Sequence, residues 1–395
     1  MAQRHEIMSD NIASLQVVAG DNWLSPPITM LHGGDPINVS FDDLTHEYRR
    51  YAYRLEHCEA DWSVSTELFA SDFCEGFNED NIIDDVTESI NTNTLYTHYR
   101  LQIPNENCKI KMSGNYKLTV YDENTGEEVM NACFMVVDPK VNVRLGVTSN
   151  TDIDTNKSHQ QVSIDLNFSG IKVNRFDDEI KTVVMQNGRW DNAVLNATPQ
   201  YVTADAASWN HNKALIFNAG NEYRKFETLD VTHTTMGIES VEWDGKDYHA
   251  NVWTDEPRTN YVYDEDANGA FYIRNSDNYE NDRTSDYLYV HFTLNSPQPA
   301  ADDVYINGAW TYDSFAPAYR MEYNNEKKRY EANILLKQGY YSYQYITLGP
   351  DGTTGIMPTE GSFFQTENKY SALIYFRGQG ERTDRLVGYK EIQIK

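Results

Sequence analysis

The chain has 395 residues, of which 40% are hydrophobic and 13% aromatic, and its formal net charge is −27. This length predicts two or three domains. The strong negative charge disfavours binding to phosphate backbones, so we expect no nucleic-acid partner. The sequence has no apolar run of the roughly 18 residues that a transmembrane helix needs.

The first residues, Met1-Ala2-Gln3-Arg4-His5, lack the basic, apolar and small-residue pattern of an export signal. Taken alone, this start predicts either a cytoplasmic protein or a mature exported chain whose signal has been replaced by a start Met. The sequence of the first five residues does not decide between these two possibilities.

The first third of the chain predicts a series of β-strands. Apolar and aromatic residues alternate with polar ones in residues 51–55 and 117–121, so one face of each strand can be buried while the other is wetted. A Ser-Gly-Asn turn precedes the second of these strands. The pattern predicts an all-β fold class with antiparallel, immunoglobulin-like β-sandwiches, and no catalytic motif lies in this part.

The segment 63–93 interrupts these strands because it is acidic and has no hydrophobic period. It predicts a long loop across one end of the first sandwich, and long ordered loops often carry function. The candidate partner contacts are Phe69, Asp72, Phe73, Glu75 and Phe77. The alternative is a packed structural excursion that its phenylalanines hold in place.

Four cysteines lie in the first domain, at Cys58, Cys74, Cys108 and Cys133. None forms a Cys-x-x-Cys motif, which disfavours a zinc knuckle or a thioredoxin-type site. Four cysteines permit three disulfide pairings, and the sequence does not choose among them or between disulfides and buried thiols.

The rest of the chain continues in strands, and two proline-containing stretches predict its boundaries. Asp138-Pro139-Lys140 predicts a hinge, and the stretch 295–301, with Pro297 and Pro299, predicts a linker. We therefore predict three consecutive sandwiches, at residues 1–138, 139–296 and 297–395. The last is similar to glycogen-binding immunoglobulin-like modules.

A weak metal-site candidate is formed by Asp264, Asp266 and Asn268, which match the opening of a calcium loop. The bidentate Glu expected at the twelfth position is Asn275, so ordinary turn chemistry in a hairpin explains the same residues. The sequence contains no other recognisable ligand, nucleophile or phosphate-binding motif. We expect no cofactor, no catalytic residue and no enzymatic activity.

Two aromatic residues of the last unit, Trp310 and Tyr341, are candidates for stacking against a sugar ring. Trp310 follows a glycine and could therefore lie at an exposed loop tip. Tyr341 belongs to a strand-like run in which at least half of the rings must face inward, so burial of these aromatics in the core is the competing interpretation.

Several motifs occur in an order and spacing that resemble one known family. They are HCEADW (57–62), DFCEGF (72–77), YTHY (96–99), SGNY (113–116), FNAGNEYRKF (217–226), KQGYY (337–341), EGS (360–362), TENKY (366–370) and DRLVG (384–388). Together they are similar to the periplasmic plug protein of the bacterial type IX secretion system, formerly a domain of unknown function. The resemblance covers nearly the whole chain.

The resemblance implies a non-enzymatic protein on the periplasmic side of the outer membrane, with its export signal absent from this sequence. The implied partner is the large outer-membrane translocon β-barrel, whose periplasmic opening the protein would close. One alternative is a periplasmic carbohydrate-binding protein that uses its C-terminal sandwich. A third, weaker possibility is a glycosidase-like enzyme with two catalytic carboxylates.

Overall fold

The structure is a computed structural model and describes residues 5–394. Residues 1–4 lie outside the described residues. The expectation that the export signal is absent from this sequence was based mainly on these residues. Strands account for 46% of the chain and helices for 6%, so the predicted all-β fold class is confirmed. Because apolar and polar residues alternate, each strand has one apolar face. The apolar faces of two facing sheets pack against each other and form the core of a sandwich.

The first sandwich lies within residues 6–137 and contains two larger sheets and a short ribbon. Its strands are β1 (Glu6–Ile7), β2 (Ile12–Ala19), β3 (Ile28–Met30), β4 (Ile37–Asp43), β5 (Tyr51–Cys58), β6 (Cys74–Gly76), β7 (Asn81–Ile82), β8 (Asp85–Glu88), β9 (Thr97–Ile103), β10 (Cys108–Ile110), β11 (Gly114–Asp122) and β12 (Glu128–Val137). One sheet has the order β1-β12-β11-β5-β7, with β3 also paired to β12, and the other has the order β2-β4-β9-β8. The ribbon is β6-β10.

The second sandwich is assembled from two distant parts of the chain. Its first part contains β13 (Asn142–Thr148), β14 (His159–Asn167), β15 (Ile180–Gln186), β16 (Val194–Leu195), β17 (Tyr201–Val202), β18 (Ala206–Trp209) and β19 (Ile216–Asn218). The second part contains the two C-terminal strands, labelled below as β30 and β31. One sheet has the order β13-β14-β18-β17, with β19 also paired to β14.

The third sandwich occupies the chain between these two parts. Its strands are β20 (Arg224–Glu227), β21 (Ile238–Trp243), β22 (Tyr248–Val252), β23 (Phe271–Ile273), β24 (Tyr287–Asn295), β25 (Asp303–Asn307), β26 (Glu322–Asn324), β27 (Arg329–Lys337), β28 (Gly339–Leu348) and β29 (Thr354–Ile356). One sheet has the order β21-β22-β24-β27-β26, and in the other β28 pairs with β20, β23, β25 and β29. The chain then returns to the second sandwich as β30 (Lys369–Phe376) and β31 (Arg385–Gln393), which complete the sheet β16-β15-β30-β31.

The predicted boundary at 296/297 is wrong. β24, which precedes the proline-rich stretch, pairs along its whole length with β27, from Tyr287 opposite Lys337 to Asn295 opposite Arg329. Residues 295–301 are therefore a turn inside the third sandwich, since prolines mark turns as readily as linkers. The predicted unit 297–395 is also divided, because β30 pairs with β15 of the second sandwich.

Helices are short. The α-helices are α1 (Ala70–Phe73), α2 (Phe176–Glu179) and α3 (Asn281–Thr284), and the 3-10 helices are Lys213–Leu215, Ala309–Thr311, Pro317–Tyr319 and Pro358–Glu360. Only α1 lies in the segment 63–93. That segment is also less irregular than the sequence predicts, because β7 and β8 join the two sheets of the first sandwich. Among the described residues, no helix has the length and apolar character needed to span a membrane.

Candidate interaction surface

The acidic excursion, defined as residues 63–93, is attached to both neighbouring sandwiches. It contains eight carboxylates and no Lys or Arg. Near its start, Asp72 forms an ion pair of 2.8 Å with Arg382 in the turn between β30 and β31. At its end, the backbone N–H groups of Asn93 and Thr94 donate to the Asp286 carboxylate in the third sandwich, at 2.6 and 3.0 Å. The excursion is therefore a fixed bridge across the molecule.

The three phenylalanines of the excursion have different environments. Phe73 is buried in the core of the first sandwich, whereas Phe69 and Phe77 are 73% and 71% exposed. Phe69 precedes α1 and Phe77 follows β6, so both exposed rings flank one rigid turn. Glu75 and Glu79 are exposed beside them. We call Phe69, Glu75, Phe77 and Glu79 the excursion surface.

Two of the acidic residues have structural roles instead. Asp72 accepts a hydrogen bond of 2.8 Å from the backbone N–H of Phe69, at the start of α1, in addition to its ion pair with Arg382. Asp80 accepts a hydrogen bond of 2.8 Å from the Tyr121 hydroxyl. Replacing either residue would disturb the excursion itself, so neither is a suitable probe of a partner contact.

The first and second sandwiches meet at the first joint, which is mainly apolar. Trp62 packs edge-on against Trp190 with ring centroids 5.5 Å apart. Leu373 and Tyr375 of β30 lie in the same buried cluster, while Ala372 and Ile374 face the core of the second sandwich. β30 is consequently buried on both faces.

Polar groups complete the first joint. Asp384 accepts hydrogen bonds from the Ala60 N–H and the Lys181 ammonium, at 3.0 and 2.7 Å. His57 lies 3.3 Å from the Thr383 hydroxyl of the second sandwich. Within the first sandwich it accepts a hydrogen bond of 2.9 Å from the Ser65 hydroxyl and donates one of 3.2 Å to the Ser113 carbonyl. Burial lowers the pKa of His57 to about 4, so this ring is neutral near pH 7.

The first and third sandwiches meet at the second joint, which is built around buried charges. The Lys337 ammonium lies 2.6 Å from an Asp42 carboxylate oxygen, and these residues are 1% and 0% exposed. His98 and the Tyr287 hydroxyl also contact Asp42, each at 2.6 Å. Burial raises the pKa of Asp42, but Lys337 and His98 more than offset this effect and hold it below its ordinary value.

The Lys337 ammonium also lies 4.0 Å from the centre of the Tyr96 ring. The hydroxyl group of Tyr96 donates to the Ser285 carbonyl across the second joint at 2.7 Å. The Lys337 ammonium also donates a hydrogen bond of 2.7 Å to the backbone carbonyl of Asp282. It is therefore held by a carboxylate, an aromatic face and a backbone carbonyl.

An ion-pair cluster in the third sandwich holds Glu360, which lies in the connection that returns the chain to the second sandwich. Arg224 contacts Asp255 at 2.7 Å and Glu360 at 3.0 Å. Arg258 contacts Glu360 as well, at 2.5 Å. Arg224 therefore forms structural ion pairs, and Glu222 is not among its partners. Glu222 instead accepts a hydrogen bond of 2.6 Å from the Tyr261 hydroxyl.

The candidate metal residues do not converge on one point. Asp264 forms an ion pair of 2.6 Å with Lys225. Asp266 accepts hydrogen bonds from the N–H groups of Tyr223 and Asn268, and burial raises its pKa to about 7. In residues 5–394, no group of three or more His, Cys, Asp or Glu side chains is arranged to hold a metal ion. The predicted hairpin is also wrong, because residues 260–263 form no strand and β23 pairs with β28.

The candidate sugar-stacking residues are core residues. Trp310 and Tyr341 are 3% and 2% exposed and lie against each other with ring centroids 5.5 Å apart. The Trp310 ring N–H donates to the Ser342 carbonyl at 3.0 Å. The expectation of an exposed ring at a loop tip is wrong, because the turn after Gly308 is folded onto the sandwich.

A cavity of about 240 Å³ lies where the three sandwiches meet, lined in part by Trp23, Trp62, Trp190 and Tyr312. Its volume is below the roughly 300–1,000 Å³ that is usual for small-molecule sites. We therefore interpret the cavity as a gap between packed domains and not as a ligand-binding site.

Comparison with known proteins identifies the family. A family model described as the type 9 secretion system plug protein 1st domain matches residues 12–138. The crystal structure of a hypothetical protein from Parabacteroides merdae ATCC 43184 is 38% identical, with a TM-score of 0.96, and the alignment covers 100% of both chains. The chain belongs to the type IX secretion system plug protein family.

Family membership implies a role in type IX secretion and a location in the cell envelope. No curated protein matches the chain. The C-terminal domain of the Streptococcus pyogenes antigen I/II-family protein AspA aligns over 97% of this chain and 99% of its own, but at 8% identity and a TM-score of 0.17. Similarity at that level carries no argument.

The motifs that resemble the plug family contribute many of the residues in the joints. His57 and Trp62 of HCEADW and Asp384 of DRLVG lie in the first joint, and Lys337 of KQGYY lies in the second. Gly114 of SGNY has a positive φ of 146°, and a Cβ atom there would lie 2.2 Å from the His57 ring. The sequence motifs therefore mark the contacts that hold the sandwiches together, which motif matching alone does not reveal.

Proposed function

We propose that this protein is a non-enzymatic plug that closes the periplasmic side of the type IX translocon barrel. Family membership supplies the secretion system, and the observation that carries the proposal is the fixed excursion between two joints. A plug must resist displacement until it is released, which requires a body whose parts do not move independently. The contacts that Lys337 and Asp384 make across the two joints support such a body.

The excursion surface is the proposed contact with the barrel. Exposed aromatic rings are strong candidates for binding hot spots, and surrounding carboxylates can steer docking toward a basic surface. A stable complex needs an interface of about 1,200 Å² or more, so the excursion surface would form only part of the contact. We expect the barrel to present an apolar recess next to Lys or Arg side chains.

Co-purification from the native outer membrane tests this proposal. A tagged copy of the chain should retain a large β-barrel, identified by mass spectrometry, and the Phe69→Ala/Phe77→Ala variant should retain at least about tenfold less. Tyr201→Ala is the matched control, since Tyr201 is 72% exposed but lies in the second sandwich. All three proteins should have nearly the same thermal midpoint, because the changed rings are exposed.

The possible outcomes separate the two parts of the proposal. If the wild-type chain brings down no barrel, the plug function is wrong. If the barrel is retained equally by all three proteins, the plug function survives but the excursion surface is not its contact. The carbohydrate-binding alternative has lost its proposed platform, because Trp310 and Tyr341 are buried.

A further inference from the structure

The ribbon at the base of the excursion contains two cysteines. Cys74 begins β6 and Cys108 begins β10, and these strands pair antiparallel with Cys74 opposite Ile110 and Cys108 opposite Gly76. The two residues are 3% and 0% exposed. Their Sγ atoms are 2.7 Å apart although the residues are 34 positions apart in sequence. Two sulfur atoms that are not bonded do not normally pack so closely.

The other pairings among the four cysteines conflict with the fold. Cys58 and Cys133 lie on β5 and β12, which pair with opposite edges of β11. Two strand spacings of about 4.8 Å separate them, beyond the roughly 7 Å between Cα atoms that a disulfide can bridge. Mixed pairings are also excluded, because Cys58 and Cys133 face the first joint whereas Cys74 and Cys108 face the core of the first sandwich.

We propose that Cys74 and Cys108 form a disulfide bond, which ties α1 and β6 covalently to the first sandwich. The oxidant is a disulfide-bearing compound, either a thiol oxidoreductase or glutathione disulfide. The Cys74 thiolate attacks one sulfur of this compound and releases its first thiol. Cys108, once deprotonated, then attacks the Cys74 sulfur and releases the second thiol, so two electrons pass to the oxidant and two protons leave the cysteines.

The surroundings of the pair favour this order of steps. The hydrogen bond between the two sulfur atoms and one from the backbone N–H of Lys109 lower the pKa of Cys74. The same hydrogen bond and burial raise the pKa of Cys108. Because both sulfurs are buried in the folded protein, the exchange takes place once the ribbon has paired and before the core covers it, and the folded protein should resist reduction.

The proposed bond would restrict the movement of the excursion surface, since Cys74 lies between Phe69 and Phe77 and would be linked covalently to β10. It does not depend on the proposed plug function, because it concerns the redox state of the folded chain. If the protein retains the barrel but its cysteines stay reduced, the disulfide proposal fails and the plug function stands. If the disulfide forms but no barrel is retained, the plug function fails and the disulfide stands.

Peptide mapping of the full chain is the direct test. The protein is unfolded, refolded in a mixture of reduced and oxidised glutathione, unfolded again in the presence of iodoacetamide without added reductant, and digested with trypsin and a glutamate-specific protease. These enzymes place Cys58, Cys74 and Cys108 in separate peptides, 57–59, 68–75 and 107–109. We expect 68–75 linked to 107–109, lighter than the summed peptides by two hydrogen atoms, and alkylated 57–59. Alkylation of both Cys74 and Cys108, or linkage of either to another cysteine, would overturn the proposal.

Thermal unfolding provides a second readout with a matched control. Cys74→Ala/Cys108→Ala should lower the midpoint of the oxidised protein by about 5–10 °C, because the bond no longer restricts the unfolded chain. Cys58→Ala, also at a buried cysteine, should leave the linked peptide intact. Wild-type protein refolded under reducing conditions should unfold like the double variant, and equal midpoints for the oxidised and reduced wild-type protein would contradict the bond.

Discussion

The first sandwich is held to its two neighbours by different kinds of contact. At the first joint it packs apolar side chains such as Trp62 against β30 of the second sandwich. At the second joint it encloses the ion pair of Asp42 and Lys337. Apolar packing tolerates small shifts, whereas a buried ion pair requires each partner to stay in position. The comparison indicates that the second joint fixes orientation through buried charges, whereas the first joint relies on apolar packing.

The largest effect is expected at the second joint. Lys337→Met should lower the free energy of unfolding by about 3–5 kcal/mol, because the buried Asp42 carboxylate loses the Lys337 ammonium and keeps only His98 as a basic partner. Urea denaturation measures this change. The double variant Asp42→Asn/Lys337→Met removes both charges and should be more stable than Lys337→Met alone. If Lys337→Met is as stable as the wild type, the ion pair does not govern this joint.

A smaller loss is expected at the first joint. Leu373→Ala should lower the free energy of unfolding by about 2–4 kcal/mol, since Leu373 is fully buried between the first and second sandwiches. The same denaturation experiment applies. Leu195→Ala changes the same residue type at an exposed site of the second sandwich and should stay within about 0.5 kcal/mol of the wild type. A loss at Leu373 as small as that control would mean that apolar packing contributes little there.

Acid should weaken the first joint through His57. Its pKa is 6.5 in the unfolded chain and about 4 in the folded protein, so the unfolded chain binds the proton more readily. The stability contributed by neutral His57 is present above pH 6.5 and is lost as the pH falls toward 4. Between pH 7 and 5.5 this single group should cost about 1–2 kcal/mol.

Comparison of wild type and His57→Gln isolates this contribution from other titrating groups. Free energies of unfolding measured at pH 7 and 5.5 should fall less in the variant than in the wild type. An equal loss in both proteins would show that His57 is not the group responsible.

The sequence predicted local structure better than it predicted connections. Alternation at residues 51–55 and 117–121 correctly indicated β5 and β11, because the period of two depends only on which side of a strand is buried. It carries no information on which strand is the neighbour. The return of β30 to β15 was therefore missed, and a turn with Pro297 and Pro299 was interpreted as a linker.

The candidate site was also predicted only in part, because local sequence patterns carry no information on contacts between distant residues. The acidic, aperiodic character of residues 63–93 indicated an excursion, and Phe69 and Phe77 are exposed there. Whether they contact a partner stays a prediction. The sequence could not separate Asp72 from Glu75, because Asp72 is distinguished by Arg382, more than 300 residues away. A side chain that contacts another sandwich cannot be recognised from its neighbours in the sequence.

The insertion of the third sandwich within the second has a consequence for the order in which the chain matures. During synthesis and export, β15 emerges long before its partner, since Gln186 and Tyr370 are 184 residues apart. The apolar residues of β15 must therefore wait, exposed or held by a chaperone, until nearly the last residues arrive. All strands of the third sandwich emerge before β30, so the third sandwich can fold before the second. The second sandwich is thus the last to be completed.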